Sequence, residues 1–452
     1  MFLKIANFLD HSYARNVGFA FFIGIFCVLL GGLATALFVA SCFALIFINP
    51  KAKPSRIWNE TKILCAEMPV LLCFPIFYAL VVITSFRGDD WLQDVIHIAG
   101  SYWQFLFLLP ATVGLYHLSR DVNFAGVFSY GCRLALLFVL PLSLIQLIFF
   151  NARADGFLNN SLVFASLCII GSAAAIIEWP EDDRRQRILA RVSFSFGLLA
   201  ALLTFSRGML IPILAVLMVA LAYNIKSRSE LKLAFKSIVL FGLFFLAIFF
   251  AALQTDNGWR FVDQRILQPI EMVKTGKLDD NSISHRLDMQ RTGFHAFVNS
   301  PLLGYGIPNV LDETNSVSQE VLGRKTEYTY THLHNDYLTH AVGGGFVLMV
   351  LFAIVIFTPF LVGWKIQLHE KDRAIFYFGA MITAAFSAIA LTNIVFHNDQ
   401  LTTMYSVATM FLIVRHYQYL NGVTKPRIPN LSIIANGDNP VGKEKVNATT
   451  RV

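Results

Sequence analysis

Apolar runs long enough to cross a bilayer recur through most of this chain, and they fix its class before any single residue is read. They run to about 17–25 residues, and a helix of about 20 residues spans the roughly 30 Å of membrane hydrocarbon. Inside hydrocarbon only a helix or a closed barrel satisfies its own backbone groups, so unbroken apolar runs of this length read as helices. Composition excludes one large soluble core: charged residues make up 14% of the chain and hydrophobic ones 56%, where soluble domains carry about 25% charged residues. The stretch from Asn16 to Ile48 has no charge and is too long for the core of a cleaved signal peptide. It is expected to form two spans turning at Gly31-Gly32, with one long tilted helix as the alternative.

The runs predict an all-α polytopic membrane protein with about twelve spans, near 16–31, 33–48, 69–86, 101–118, 124–150, 160–178, 190–205, 208–223, 237–252, 338–362, 374–396 and 400–416. Lysine and arginine collect after the even-numbered spans, at Lys51 to Lys62, Arg120, Arg184 to Arg191, Lys226 to Lys232 and Lys365 to Arg373. One orientation then satisfies the positive-inside rule throughout, with both termini cytoplasmic. The formal charge of +7 is therefore anchoring charge, and no nucleic-acid motif accompanies it. Residues 1–420 are expected to form one transmembrane domain that includes a large external loop at 254–336. Residues 421–452, polar and carrying Pro426, Pro429 and Pro440, are expected to be a disordered cytoplasmic tail. All six cysteines lie in or near apolar runs and read as small buried hydrophobes. No CxxC pair points to metal or redox work, and no internal repeat is apparent.

The external loop is more than a linker. The segment Ser284 to Asn299 places Leu287, Gln290, Gly293-Phe294 and Phe297 at helical spacing, which predicts an amphipathic helix near the membrane surface. Pro301 and Gly304-Tyr305-Gly306 end it. Leu311 to Gly323 is polar and expected to be mobile. The loop closes on His332-Leu333-His334-Asn335-Asp336-Tyr337, where the tenth span begins. Gly343-Gly344-Gly345 follow early in that span and allow close packing or a backbone bend.

Three blocks carry a resemblance. They are Thr204-Phe205-Ser206-Arg207-Gly208; Arg286 followed by Gly293-Phe294, Pro301 and Gly304-Tyr305-Gly306; and His334-Asn335-Asp336-Tyr337-Leu338 followed by Gly343 to Gly345. A weaker block runs from Arg153 to Asn160. In order and spacing they resemble the O-antigen ligase and O-antigen polymerase superfamily of bacterial inner membranes, most closely its ligase branch. The resemblance implies a fold similar to other lipid-carrier-dependent (GT-C-like) glycosyltransferases. It also implies a periplasmic active site, an undecaprenyl-diphosphate-linked glycan as donor, a sugar hydroxyl of lipid A-core as acceptor, and no metal or other cofactor.

The residue chemistry stands beside that resemblance. A diphosphate leaving group at the membrane interface calls for forked donors of fixed geometry, which arginine supplies and lysine does not. Arg207, Arg286 and Arg153 are the candidates for holding it. Arg207 ends the seventh span, where a charged group facing lipid is costly, so it should face a polar cavity; the plain alternative is an interfacial anchor. Arg133, inside the fifth run, should pair within the bundle or line the cavity. His334 is the candidate base for the acceptor hydroxyl, because imidazole takes a proton near neutral pH; its plain alternative is helix capping or packing. His332, Asn335 and Asp336 are candidate supports. A His332–His334 zinc pair lacks a third ligand at zinc spacing. His397 and Asp399 fall outside the matched blocks and are candidates for the cavity mouth.

Other classes fit the same spans. A polymerase would use the same donor with a second carrier-linked glycan as acceptor. An oligosaccharyltransferase would deliver the glycan to protein. A transporter would need inverted repeats and paired ionisable groups at mid-membrane in both halves, which the sequence lacks.

Overall fold

A computed structural model describes residues 33–150, 153–156, 158, 160–224, 282–325 and 332–423. Among these the regular structure is helical, with no strand. Six helices are long and apolar enough to cross a membrane: Trp91–Leu118, Phe124–Phe149, Arg184–Leu203, Arg207–Asn224, Asp336–Glu370 and Arg373–Ala390. A seventh is gained if Pro54–Glu67 and Pro69–Ser85, bent by 120°, count as one span. The molecule is thus a polytopic helical membrane protein, with fewer span-length helices among the described residues than the sequence predicts. The expected spans at 16–31 and 237–252, and the tail beyond Val423, lie outside the described residues. Those at 33–48 and 160–178 form shorter apolar helices.

The twelfth expected span differs for a physical reason. Asp399–Leu420 is a helix, but its residues from Leu401 to Gln418 are all buried. It is the axis of the bundle, wrapped by protein rather than lipid. An axial helix can therefore carry Thr402, Thr403, Ser406, Thr409, Arg415 and His416 on surfaces that lipid would reject.

Helix starts follow capping chemistry. Asn123, Asn160, Asp183, Asn335, Asp372 and Asn398 each accept a hydrogen bond from a backbone N–H in the first turn that follows. Each supplies an acceptor for a donor that the helix itself leaves unpaired. Arg133 is fully buried and serves the other kind of end. It donates to the carbonyls of Ala175 and Ile177, where a neighbouring helix runs out, and to the Asp182 carboxylate at 2.7 Å. Of its two expected roles it takes pairing within the bundle.

Contacts among the described loops sort them into two ends. The Arg120, Arg184–Arg191 and Lys365–Arg373 segments share one end with Lys51 and Arg56. The segments 86–90, 153–156, 204–208, 300–306 and 391–398 share the other, which carries the candidate residues.

The segment 300–306 is held mainly through its backbone. The helix Asp336–Glu370 is broken at Gly344 (φ −134°, ψ 17°) and Gly345 (φ 68°, ψ −167°). The break frees carbonyls, and the loop after Pro301 uses them. Tyr305 N donates to Val342 O at 2.9 Å, Gly306 N to Gly343 O at 2.7 Å, and Phe346 N to Pro301 O at 2.7 Å. A Cβ at Gly304 would lie 2.4 Å from Val342 O, so only glycine lets the two backbones meet. Arg87 clamps the same loop from outside by donating to the carbonyls of Leu303 and Gly304.

The helix expected over 284–299 is present as Ser282–Asn299. The segment after it departs from expectation. Residues expected to be mobile form two short helices, Val310–Ser316 and Ser318–Leu322. Val310 packs with Met289, Ala296, Leu333 and Val342 in a small second core. A few well-placed apolar residues suffice to order a polar stretch once a partner surface exists.

Candidate functional site

The turn from Thr204 to Gly208 is built by strain. Thr204 Oγ1 donates back to Ala201 O at 2.7 Å and accepts from Ser206 N at 3.3 Å. Between them buried Phe205 has φ 52°, a left-handed conformation that a bulky side chain seldom takes. The chain reverses there and enters a short 3-10 turn, Arg207–Met209, that starts the next span. Arg207 is partly buried at the mouth of the bundle.

The second arginine arrives from the loop helix Ser282–Asn299. A Cβ built at Gly208 would lie 3.3 Å from Arg286 Nη1 and 3.3 Å from Thr392 Cβ. The Arg286 guanidinium therefore rests on the glycine that follows Arg207. Residues about eighty positions apart in sequence meet at one spot, because the loop helix folds back over the bundle. Gly293 on the same helix abuts Leu333 and Leu338, with a Cβ at 2.8 Å and 3.0 Å from their methyl carbons. This seats the loop helix against the histidine segment.

His334 shares the strained backbone of Phe205, with φ 50°. Leu333 is fully buried in the second core and pins the segment. The rings of His332 and His334 lie 4.5 Å apart, edge to face. Burial pushes His332 down to about 4, with the charges of His397 and Arg286 adding to the effect and Asp336 opposing it. Burial pushes His334 down to about 3, reinforced by His332 and Arg286. Both rings are therefore neutral near pH 7, and both sense the Arg286 charge.

The supporting residues have structural roles. Asn335 caps the helix that begins at Asp336 by accepting from Leu338 N at 3.2 Å. Asp336 is fully buried and accepts from Val395 N at 2.8 Å and Phe396 N at 3.3 Å. Its other oxygen lies 3.2 Å from His340 Nδ1. Asp336 thus ties the histidine segment to the loop before the axial helix. Arg153 stands exposed in the segment that leads to Ser161, at this same end of the bundle. The loop around it is anchored by Gln146, which donates to the Asp155 carboxylate at 2.8 Å and accepts from Asp155 N and Gly156 N.

His397 follows the two backbone groups that Asp336 holds. Its ring lies 5.4 Å from that of His97, which the motif reading did not single out. Burial, then the neighbouring His97, lowers the pKa of His397. A signal for His397 was available. His397-Asn398-Asp399 repeats His334-Asn335-Asp336, and in both cases the asparagine caps a helix. Arg87 and Thr392 had no such signal, since they matter only through contacts made by the folded loop.

Among the described residues no group of three or more His, Cys, Asp or Glu side chains is placed to hold a metal ion. The arrangement offers fixed positive charge from two arginines beside two neutral imidazoles, at one end of a membrane bundle. That combination suits an anionic group and a hydroxyl proton in adjacent positions.

Comparison with protein families returns the O-antigen ligase family, matched over residues 192–353. The chain carries an O-antigen ligase family domain there, which supports the superfamily resemblance. The matched region contains Arg207, Arg286, His332 and His334 and ends past the glycine break, while Arg153 and His397 lie outside it. A search of curated proteins returns no match.

Proposed function

We propose that this chain, with its O-antigen ligase family domain at residues 192–353, is a membrane glycosyltransferase that moves a glycan from undecaprenyl diphosphate to a sugar hydroxyl of lipid A-core. One observation carries the reading. The Arg286 guanidinium rests on Gly208, next to Arg207, and its charge reaches both histidines of the adjoining segment. Arg207 and Arg286 hold the donor diphosphate, with Arg153 at the outer edge of the site. They stabilise the charge that develops as the glycosidic bond breaks. His334 accepts the proton of the acceptor hydroxyl as its oxygen attacks the anomeric carbon. The bond from that carbon to the diphosphate oxygen breaks, and undecaprenyl diphosphate leaves with the electron pair. His332 stands beside the base, while Asn335 and Asp336 hold the segment in place. The role of Asp336 as a backbone anchor argues against its being a covalent nucleophile, so the expected stereochemistry is inversion.

A base as weakly basic as the buried His334 needs help. Its low pKa comes from burial first and then from the positive neighbours His332 and Arg286. A bound diphosphate offsets the Arg286 charge and raises the proton affinity of the ring when the donor is in place. Proton acceptance is thereby coupled to donor binding.

The test is reconstitution of the purified protein with undecaprenyl-diphosphate glycan and lipid A-core, with chelator present and the new linkage read by NMR. Transfer with inverted configuration is expected. Retained configuration, or a glycan trapped on Asp336, sinks the direct displacement. Chain growth on the carrier lipid, with lipid A-core untouched, moves the protein to the polymerase reading. Full-rate transfer by a well-folded His334→Ala protein removes the proposed base.

In this reading the active end faces the periplasm of a bacterial inner membrane, and the end bearing Lys51, Arg184 and Lys365 faces the cytoplasm. The basic segments gathered at one end support it. An impermeant thiol reagent should label a cysteine introduced at Lys325 in intact spheroplasts and leave one at Asn421 unlabelled. The reverse pattern inverts the orientation.

A further inference from the structure

We propose a binding site for the phosphodiester headgroup of an anionic membrane phospholipid, at the end of the bundle opposite the candidate active site. It is a lateral cavity of about 340 Å³ lined by Trp364, Gln367, Leu368, Arg373, Phe376 and Tyr377. It lies where the broken helix Asp336–Glu370 ends and Arg373–Ala390 begins, so it opens at the edge of the membrane-spanning region.

The argument starts from Arg373. Its charge is permanent, and keeping it partly buried beside lipid is costly without an anion. Yet among the described residues no carboxylate lies within 4 Å of its guanidinium, although two acids are close in sequence. Both are engaged elsewhere. The Asp372 carboxylate caps the helix at Ile375 N, and the Glu370 carboxylate accepts from Arg415. Arg373 is held instead by rings and one carbonyl. It sits 5.3 Å from the Tyr377 ring centroid and 5.8 Å from that of Tyr223, and its Nη2 donates to Tyr223 O at 2.6 Å. Its Nε is enclosed without a hydrogen bond, which leaves Nη1 and the second Nη2 hydrogen for an anion. Packing against two tyrosines fixes the guanidinium plane, and an arginine so fixed is preorganised to receive two phosphate oxygens.

The rest of the cavity fits the apolar part of the same molecule. Trp364 is 48% exposed and Leu368 63% exposed. The rings of Phe360, Trp364 and Phe376 pack mutually at 5.8 Å to 5.9 Å. An ordinary aromatic belt would account for exposed rings at this depth. It does not account for a cavity whose fixed arginine has no carboxylate partner. A phospholipid does, because its phosphodiester meets Arg373 and its acyl chain lies along Leu368 and Trp364. This proposal rests only on the membrane-spanning helices, and it survives or fails independently of the transferase reading.

The probe is phosphatidylglycerol. Full-length protein in nanodiscs of phosphatidylcholine with phosphatidylglycerol would be released into detergent, and the retained lipid read by native mass spectrometry. Wild type should retain phosphatidylglycerol in preference to phosphatidylcholine. Arg373→Gln should reduce that retention about tenfold, and Arg373→Lys should restore only part of it. Leu368→Glu changes an exposed position, so it keeps the test available if Arg373→Gln does not fold, and it too should release the lipid. Arg56→Gln, at the same end but already paired with Glu60 at 2.7 Å, should change nothing. Equal retention by wild type and a folded Arg373 or Leu368 variant would overturn the site. So would equal retention of the neutral lipid, or complete displacement by inorganic phosphate, which would make the ligand a free anion.

Discussion

Replacing Gly345 by alanine should destroy the packing of the 300–306 loop against the helix break. Gly345 has φ 68° and ψ −167°, a region open essentially to glycine alone. Its missing Cβ would sit 2.2 Å from the carbonyl carbon and oxygen of Leu302. The conformation alone costs about 1–3 kcal/mol, and the overlap with backbone adds to it. Relief requires the loop after Pro301 to move off the helix break. That movement gives up the bonds from Tyr305, Gly306 and Phe346, and with them the seat of the loop helix that carries Arg286. The expected result is a large fall in the thermal midpoint by fluorescence-detected size exclusion, with loss of transfer. A change at Gly323, which also has positive φ but no neighbour within 4 Å of a built Cβ, should be much milder. Similar midpoints for Gly345→Ala and Gly323→Ala would refute the interlock.

The second large effect is expected at the arginines. Arg207→Lys and Arg286→Lys should each lower transfer by about 100-fold or more, while the protein stays folded in the membrane. Lysine keeps the charge and loses the planar fork that grips two phosphate oxygens. Both residues are partly buried at the bundle mouth, so neither substitution empties a core. Because the two act on one leaving group, the double variant should be little worse than the weaker single one. The measurement is single-turnover transfer at saturating acceptor. Wild-type rates for both variants would remove the arginines from the mechanism, and fully multiplicative losses would separate their roles.

The candidate residues were legible because their chemistry is unusual for their setting. An arginine at the end of a span and a histidine where a loop enters a span are conspicuous against apolar sequence. The helix over Ser282–Asn299 was also legible, since its apolar positions recur at helical spacing. The order in Val310–Leu322 was hidden, because it depends on a few contacts with Met289 and Leu333 rather than on any local pattern. His97 was hidden too: it sits on an exposed helix position, and only the fold brings it to His397. Asp336 was read as a support without a partner, since the amides it holds lie about sixty residues onward.

By itself the sequence determined the membrane class and the starts of six helices. Those follow from apolar length and from capping by Asn and Asp, and both act over one helix or less. The tertiary structure alone decided that Asp399–Leu420 is the axis rather than a lipid-facing span, because burial by protein and burial by lipid call for different surfaces on sequences of similar length. It alone decided that Gly304 must pass Val342 to Gly344 and Gly345 must pass Leu302, since a close backbone approach leaves no trace in either segment read singly. And it alone set Arg286 on Gly208, because that contact is made between two elements and encoded in neither.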